Sequence, residues 1–219
     1  MKKTLSLVLL LSSVALFNCA AEVTATQAKN LAIFKSIKKS KQVNLKGTQD
    51  FQRSFDVLLT FEQELSAGPN GTPLPASVKP GNIFGRIQLC FNKELSEIKY
   101  KLFVFNDVQP SNRNALVTQA HLHVGKAGQN GDVFTFLFTI LPTDCGRVSN
   151  GLLAEGTITN ATILPRTSPD STVSVSNVAS VLDAIRKGQV YANVHGSNTC
   201  DTGQQGFAAG VIRGQIFTK

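Results

Sequence analysis

From about Arg53 onward, apolar and polar positions alternate with a period of two. Phe55, Val57, Leu59 and Phe61 fall on one side, and Asp56, Leu58, Thr60 and Glu62 on the other. That is the pattern of a strand with one polar-leaning face. Strand-like runs follow at Phe84–Asn92, Ile98–Asn106, Leu116–Val124, Val133–Leu141, Leu152–Thr159, Gln189–His195 and Phe207–Phe217. Gly, Asn, Asp or Pro separate most of them, and Gly68-Pro69-Asn70-Gly71-Thr72-Pro73-Leu74-Pro75 is dense in turn formers. One stretch departs from the period. Val178, Val181, Leu182 and Ile185 recur at helical spacing, with Ser176 or Asn177 to cap the start and Gly188 to stop the end. About eight short strands and one helix near 177–187 predict an all-β antiparallel sandwich or barrel. No internal repeat of roughly 20–50 residues is present, which excludes a propeller or solenoid.

The N-terminus follows another logic. Met1-Lys2-Lys3 is followed by an apolar run from Leu5 to Phe17 and the small residues Cys19-Ala20-Ala21. This is the layout of a secretory signal peptide, and the run falls short of the about 20 apolar residues a membrane span needs. Ordinary cleavage near Ala20 or Ala21 predicts a secreted or periplasmic protein. The alternative reads Leu16-Phe17-Asn18-Cys19 as a lipobox with lipid on Cys19, although Phe17 and Asn18 stand where small residues are usual. The expected organisation is a signal peptide over 1–21, a lysine-rich helix or tether over 22–52, and a β-sandwich domain over 53–219. In the second segment Leu31, Phe34 and Ile37 share a helical face, among Lys29, Lys35, Lys38, Lys39, Lys41 and Lys46.

Composition narrows the function classes. Apolar residues make up 42% of the 219-residue chain, enough for a core and too many for a wholly disordered protein. Without Lys2 and Lys3, the 22 basic residues become 20 against 14 acidic ones, a net of +6. For an exported chain this charge points away from nucleic acid, and toward an envelope polysaccharide, another protein, or simply a solvated tether. After cleavage Cys90, Cys145 and Cys200 remain. Cys145 and Cys200 lie in turn-like surroundings and are expected to form a disulfide, leaving strand-borne Cys90 as the odd thiol. No Cys-x-x-Cys pair, Gly-x-Ser-x-Gly elbow or P-loop occurs. Glu62 and Glu64 share a strand face and read as a solvated edge. Arg213, flanked by apolar strand residues, reads as a structural ion. The chain is therefore expected to be non-enzymatic, with no catalytic residues.

The three histidines are the chemical candidates. His121 and His123 share one side of a strand because their spacing is two, with Leu116, Ala120, Leu122 and Val124 opposite. Their Cα atoms lie about 6–7 Å apart. His195 shares a face with Tyr191 and Asn193, opposite Ala192 and Val194. If the two strands lie together, His121, His123 and His195 form a mononuclear copper or zinc site with an open fourth position. The competing reading makes them polar residues on an exposed sheet face, or hydrogen-bond anchors for loops.

Three ordered segments resemble the CHRD (chordin) domain family. Ala120-His121-Leu122-His123-Val124-Gly125-Lys126-Ala127-Gly128-Gln129-Asn130-Gly131-Asp132-Val133 resembles its AHIHGPA…GxNGxVV segment. Asp183-Ala184-Ile185-Arg186-Lys187-Gly188 followed by Gln189-Val190-Tyr191-Ala192-Asn193-Val194-His195 is similar to aIraGxxYvNvHT, and Gly210-Val211-Ile212-Arg213-Gly214-Gln215-Ile216 to GEIRGQl. The likeness runs from about Ser54 to Phe217. Val211 stands where that family has Glu, Gly196 intervenes before Ser197, and Cys145–Ser176 and Cys200–Gly206 look like insertions. The resemblance implies an immunoglobulin-like β-sandwich in a secreted or envelope protein. In chordin such domains belong to an extracellular antagonist of signalling proteins, and the family implies no agreed activity. His-x-His on a β-sandwich is also similar to copper/zinc superoxide dismutase, whose metal pair needs more histidines and an aspartate than three histidines provide.

Overall fold

The computed structural model describes residues 53–68, 70–79, 82–106, 116–141, 146–197 and 210–218. The expected signal peptide, the lipidation candidate Cys19, the lysine-rich segment and the Cys145–Cys200 pairing all lie outside these residues.

Among the described residues, ten strands and one α-helix follow in chain order. They are β1 (Ser54–Thr60), β2 (Ile83–Phe91), β3 (Glu97–Asn106), β4 (Leu116–Val124), β5 (Val133–Thr139), β6 (Asn150–Thr159), β7 (Arg166–Thr167), β8 (Ser174–Val175), α1 (Val178–Arg186), β9 (Val190–Ser197) and β10 (Ile212–Ile216). Eight of the strands form one antiparallel sheet in the order β5-β4-β9-β10-β1-β2-β3-β6, and β7 and β8 pair separately. The all-β antiparallel architecture read from the alternation is therefore what the chain adopts. Its two layers are halves of one sheet that curls until its edges face each other. Tyr100 of β3 donates to the Leu137 carbonyl on β5 at 2.8 Å. The free edge of β5 also receives the Leu164 amide on the Phe134 carbonyl at 2.8 Å. The structure is close to a closed barrel, which leaves little unpaired edge for another chain to add to.

The alternation explains the core. Phe55 and Leu59 of β1, Ile87 and Leu89 of β2, Leu102 and Val104 of β3, and Ala192 and Val194 of β9 point into one buried cluster. Helix α1 adds Val178, Val181, Leu182, Ala184 and Ile185 to it. Its start is fixed by a reciprocal cap. Asn177 Oδ1 accepts the Ser180 amide at 2.9 Å, and Ser180 Oγ accepts the Asn177 amide at 3.0 Å. Gly188, at φ +66°, ends it.

Two details depart from the sequence pattern. A register shift between Val117 and Gln119 turns Val117 inward, while Leu116, expected on the core face, is only half-buried. A β-bulge of this kind breaks the period of two within a strand. In addition Cys90, read as the odd thiol, is disulfide-bonded; the other half of that bond lies outside the described residues.

Candidate metal centre

Strands β4, β9 and β10 lie side by side, and their cross-strand pairs define two polar rows on the face turned away from the apolar core. One row is His121–Asn193–Arg213 and the other His123–Tyr191–Gln215. His195 is opposite Gln119 on β4, one step along the same face, so it meets His121 diagonally. β4 and β9 are thus neighbours, the condition on which His121, His123 and His195 come together.

This face is not solvated. Residues 61–68 and 70–73 and the loop 125–132 fold across it. Arg213 Nη2 donates to the carbonyls of Lys126 and Gln129 at 3.1 and 2.9 Å, and its Nη1 donates to Asn130 Oδ1 at 3.1 Å. Gln215 Nε2 donates to the carbonyls of Gly125, Gly188 and Val190 at 2.9–3.1 Å. Asn130 Nδ2 reaches the Ser66 and Gly68 carbonyls, tying one cover segment to the other. Beneath them His121 and His123 are only 4% and 8% exposed. Glu64, read as part of a solvated edge, is 0% exposed. That expectation is corrected because the chain leaves β1 through a 3-10 turn at Phe61–Gln63, which carries Glu64 over the sheet.

The imidazoles are close. Ring centroids of His121 lie 5.6 Å from His123 and 4.9 Å from His195. One ring nitrogen from each of the three falls within 4.8 Å of the others. Tetrahedral ligation with bonds of about 2.05 Å needs nitrogens about 3.3 Å apart, so modest side-chain rotation closes the triangle. The nitrogens are also poised for ligation. His123 Nδ1 sits 2.9 Å from the Gly131 carbonyl. A carbonyl only accepts, so Nδ1 carries the proton and Nε2 keeps its lone pair. That Nε2, and both ring nitrogens of His121, are buried with no hydrogen-bond partner. A polar atom so placed costs free energy unless something binds it.

The rings are wedged by their neighbours. Tyr191 stacks on His123 at 4.6 Å with 8° between planes, and the Arg213 guanidinium sits 3.4 Å above the Tyr191 ring. Phe136 of β5 meets His121 edge-to-face at 4.7 Å and is 55% exposed, so it forms the solvent-side wall. Burial, then the charges of His195 and His123, pushes the His121 imidazolium down to about 3. Burial likewise pushes His123 down to about 4, against its bond to Gly131. Both are neutral near pH 7, the state that binds metal.

Sequence reasoning missed Glu64, Asn193, Phe136 and the Arg213–Tyr191–His123 stack. Tyr191 and Arg213 stood inside the quoted motifs, yet only the fold reveals that they share a face. Arg213 is a structural ion as expected, held by the carbonyls of Lys126 and Gln129, by Asn130 and by the Tyr191 ring.

These features define an all-β domain whose covered outer face carries a buried histidine cluster. The chain belongs to the CHRD domain family, whose model matches residues 55–216. No curated protein and no solved structure matches it. No helix among the described residues is long and apolar enough to cross a membrane.

Proposed function

We propose that the protein is an exported, non-enzymatic binding module of the cell envelope, and that its CHRD domain holds a single copper or zinc ion on His121, His123 and His195. The observation that carries the metal reading is the convergence of three imidazoles, with both ring nitrogens of His121 buried and lacking a hydrogen-bond partner. An all-imidazole donor set suits Cu²⁺ or Zn²⁺ and is a poor host for Mg²⁺ or Ca²⁺. Three protein ligands leave a fourth position for water. The apolar run and small residues before Glu22 support export, and the CHRD match supports a binding or structural module.

Metal titration of the untagged protein is expected to show one ion per chain, with nitrogen coupling in the Cu²⁺ electron paramagnetic resonance spectrum. His121→Ala, His123→Ala and His195→Ala should each weaken binding on the order of 100-fold or more, since even outer partners of a ligand are worth about 10–100-fold. Absence of Cu²⁺ and Zn²⁺ binding, or binding indifferent to all three substitutions, would remove the reading.

A further inference from the structure

Among the described residues, Glu64 is the one acidic side chain buried under the cover of the histidine face, and the metal reading does not use it. It is 0% exposed, and among the described residues no salt bridge reaches it. Its Oε1 accepts the Leu65 amide at 3.0 Å and its Oε2 accepts Asn193 Nδ2 at 2.8 Å. Asn193 is the cross-strand partner of His121 and lies two residues from His195 on the same face. Asn193 therefore ties the carboxyl to the strand that carries His195 and to the cross-strand row that holds His121. Gly210, at φ +121°, rests directly on the Glu64–Asn193 pair, where any Cβ would collide with both. The neighbouring cation, Arg213, directs its donors to Asn130, Lys126, Gln129 and Gln215 and its face to Tyr191.

An isolated carboxylate in such a place is costly, and the group keeps its proton until positive charge arrives. We propose that Glu64 is the charge-compensating carboxyl of the three-histidine centre, giving its proton to solvent when a divalent cation enters. The inference rests on the metal reading above. The balance is simple: the cation brings two positive charges, one proton leaves, and Glu64 keeps one negative charge beside the site. No ligand bond to Glu64 is required; the carboxylate acts through Asn193 and through space.

Burial pushes the Glu64 carboxyl up to about 8, against the Leu65 hydrogen bond and the Arg213 charge, which pull it down. Tyr191 of β9, whose hydroxyl is raised by burial, and the permanently charged Arg213 of β10 feel its charge, while His121 and His123 of β4 are neutral near pH 7. Glu64 is thus the proton source among these groups when metal binds at neutral pH.

The test is calorimetric titration of Zn²⁺ into the untagged protein at pH 7, in buffers of different ionisation enthalpy. Wild type should release about one proton per ion more than Glu64→Gln, because a zinc-bound water, with a pKa of about 7, contributes equally to both. Glu64→Gln keeps an acceptor for Asn193 Nδ2 and lacks the carboxyl proton, and should bind Zn²⁺ about tenfold more weakly. Equal proton release in both proteins, or none in wild type that binds zinc, overturns the role of Glu64 and leaves the histidine site standing. No zinc binding in wild type removes both. Should the variant not fold, infrared difference spectra of wild type decide the matter. Zinc should abolish a buried carboxylic C=O band, and an unchanged band overturns the proposal.

Discussion

His121, His123 and Glu64 show what residue-level reading reaches. A spacing of two fixes that His121 and His123 share a face, and the apolar neighbours Ala120 and Leu122 fix which face is the core. Whether the other face is wet depends on segments distant in sequence, 61–68, 70–73 and 125–132, and no local pattern encodes that. Glu64 was misread for this reason. The consequence is a distinctive pH profile for the metal-free protein. Unfolded histidine titrates near 6.5, while native His121 and His123 do so at about 3 and about 4. Below pH 6.5 the unfolded chain takes up two protons that the native chain refuses, so these residues lower stability as pH falls. Glu64 works in the opposite direction. Its native value of about 8 against 4.5 unfolded means the native chain holds the extra proton, so stability rises as pH falls from 8. Metal-free stability should therefore peak near pH 6.5. Below the peak, two histidine protons less one glutamate proton leave a net of one, a slope of about 1.4 kcal/mol per pH unit down to about pH 5. Urea midpoints between pH 8 and 5 check this, and Glu64→Gln should flatten the limb above 6.5. A profile flat from 8 to 5 would mean that neither histidine nor glutamate is buried as described.

The strands were legible because they obey one periodicity. β4 begins and ends where the alternation places it, β1 begins there but stops at Thr60, short of Glu62 and Glu64, and α1 is bounded by the Asn177 cap and Gly188 that the sequence displays. The bulge in β4 was not legible, since an extra residue disturbs the period without changing composition. The loop after β4 was legible only as a turn, yet it builds the site. Gly131 lets that loop pass against β4: a Cβ there would overlap the Val124 carbonyl. The same residue's carbonyl fixes the His123 tautomer, and its amide and carbonyl both meet the Tyr191 hydroxyl. Gly131→Ala must push the loop off the sheet. We expect a loss on the order of 2–3 kcal/mol in denaturant unfolding, and Cu²⁺ or Zn²⁺ affinity lower by about 10–100-fold as His123 loses its orienting partner. Gly128→Ala serves as the control. Its φ of +76° makes it strained as well, but an added Cβ meets nothing. It should cost about 1–2 kcal/mol and leave metal affinity unchanged. Equal effects of the two substitutions on metal binding would show that the loop does not orient His123.

At the scale of the molecule, strand number was readable and strand order was not. β9, late in the chain, inserts between β4 and β10, and β10 returns to pair with β1 at Thr60 and Arg213. Such long-range pairings close large loops, and they join His195 to His121 and His123. The proposed ligands therefore come from two strands distant in sequence, His121 and His195 standing 74 positions apart (195 − 121), and the cluster does not exist until the sheet is assembled. An ion that binds this arrangement binds the native state and has far less affinity for the unfolded chain, so its binding free energy adds to folding stability. At free Zn²⁺ equal to 100 times Kd the gain should be about 2.7 kcal/mol. The check is denaturant unfolding of the untagged protein with zinc and then with excess chelator, repeated on His121→Ala. Wild type should lose the increment when zinc is withdrawn, while the variant should show the same midpoint in both conditions. An increment of equal size in His121→Ala would place the stabilising ion elsewhere on the protein. No increment in wild type, at zinc concentrations where titration shows the site filled, would mean the ion binds the unfolded chain as well as the folded one, against the idea that assembly of β4 and β9 creates the site.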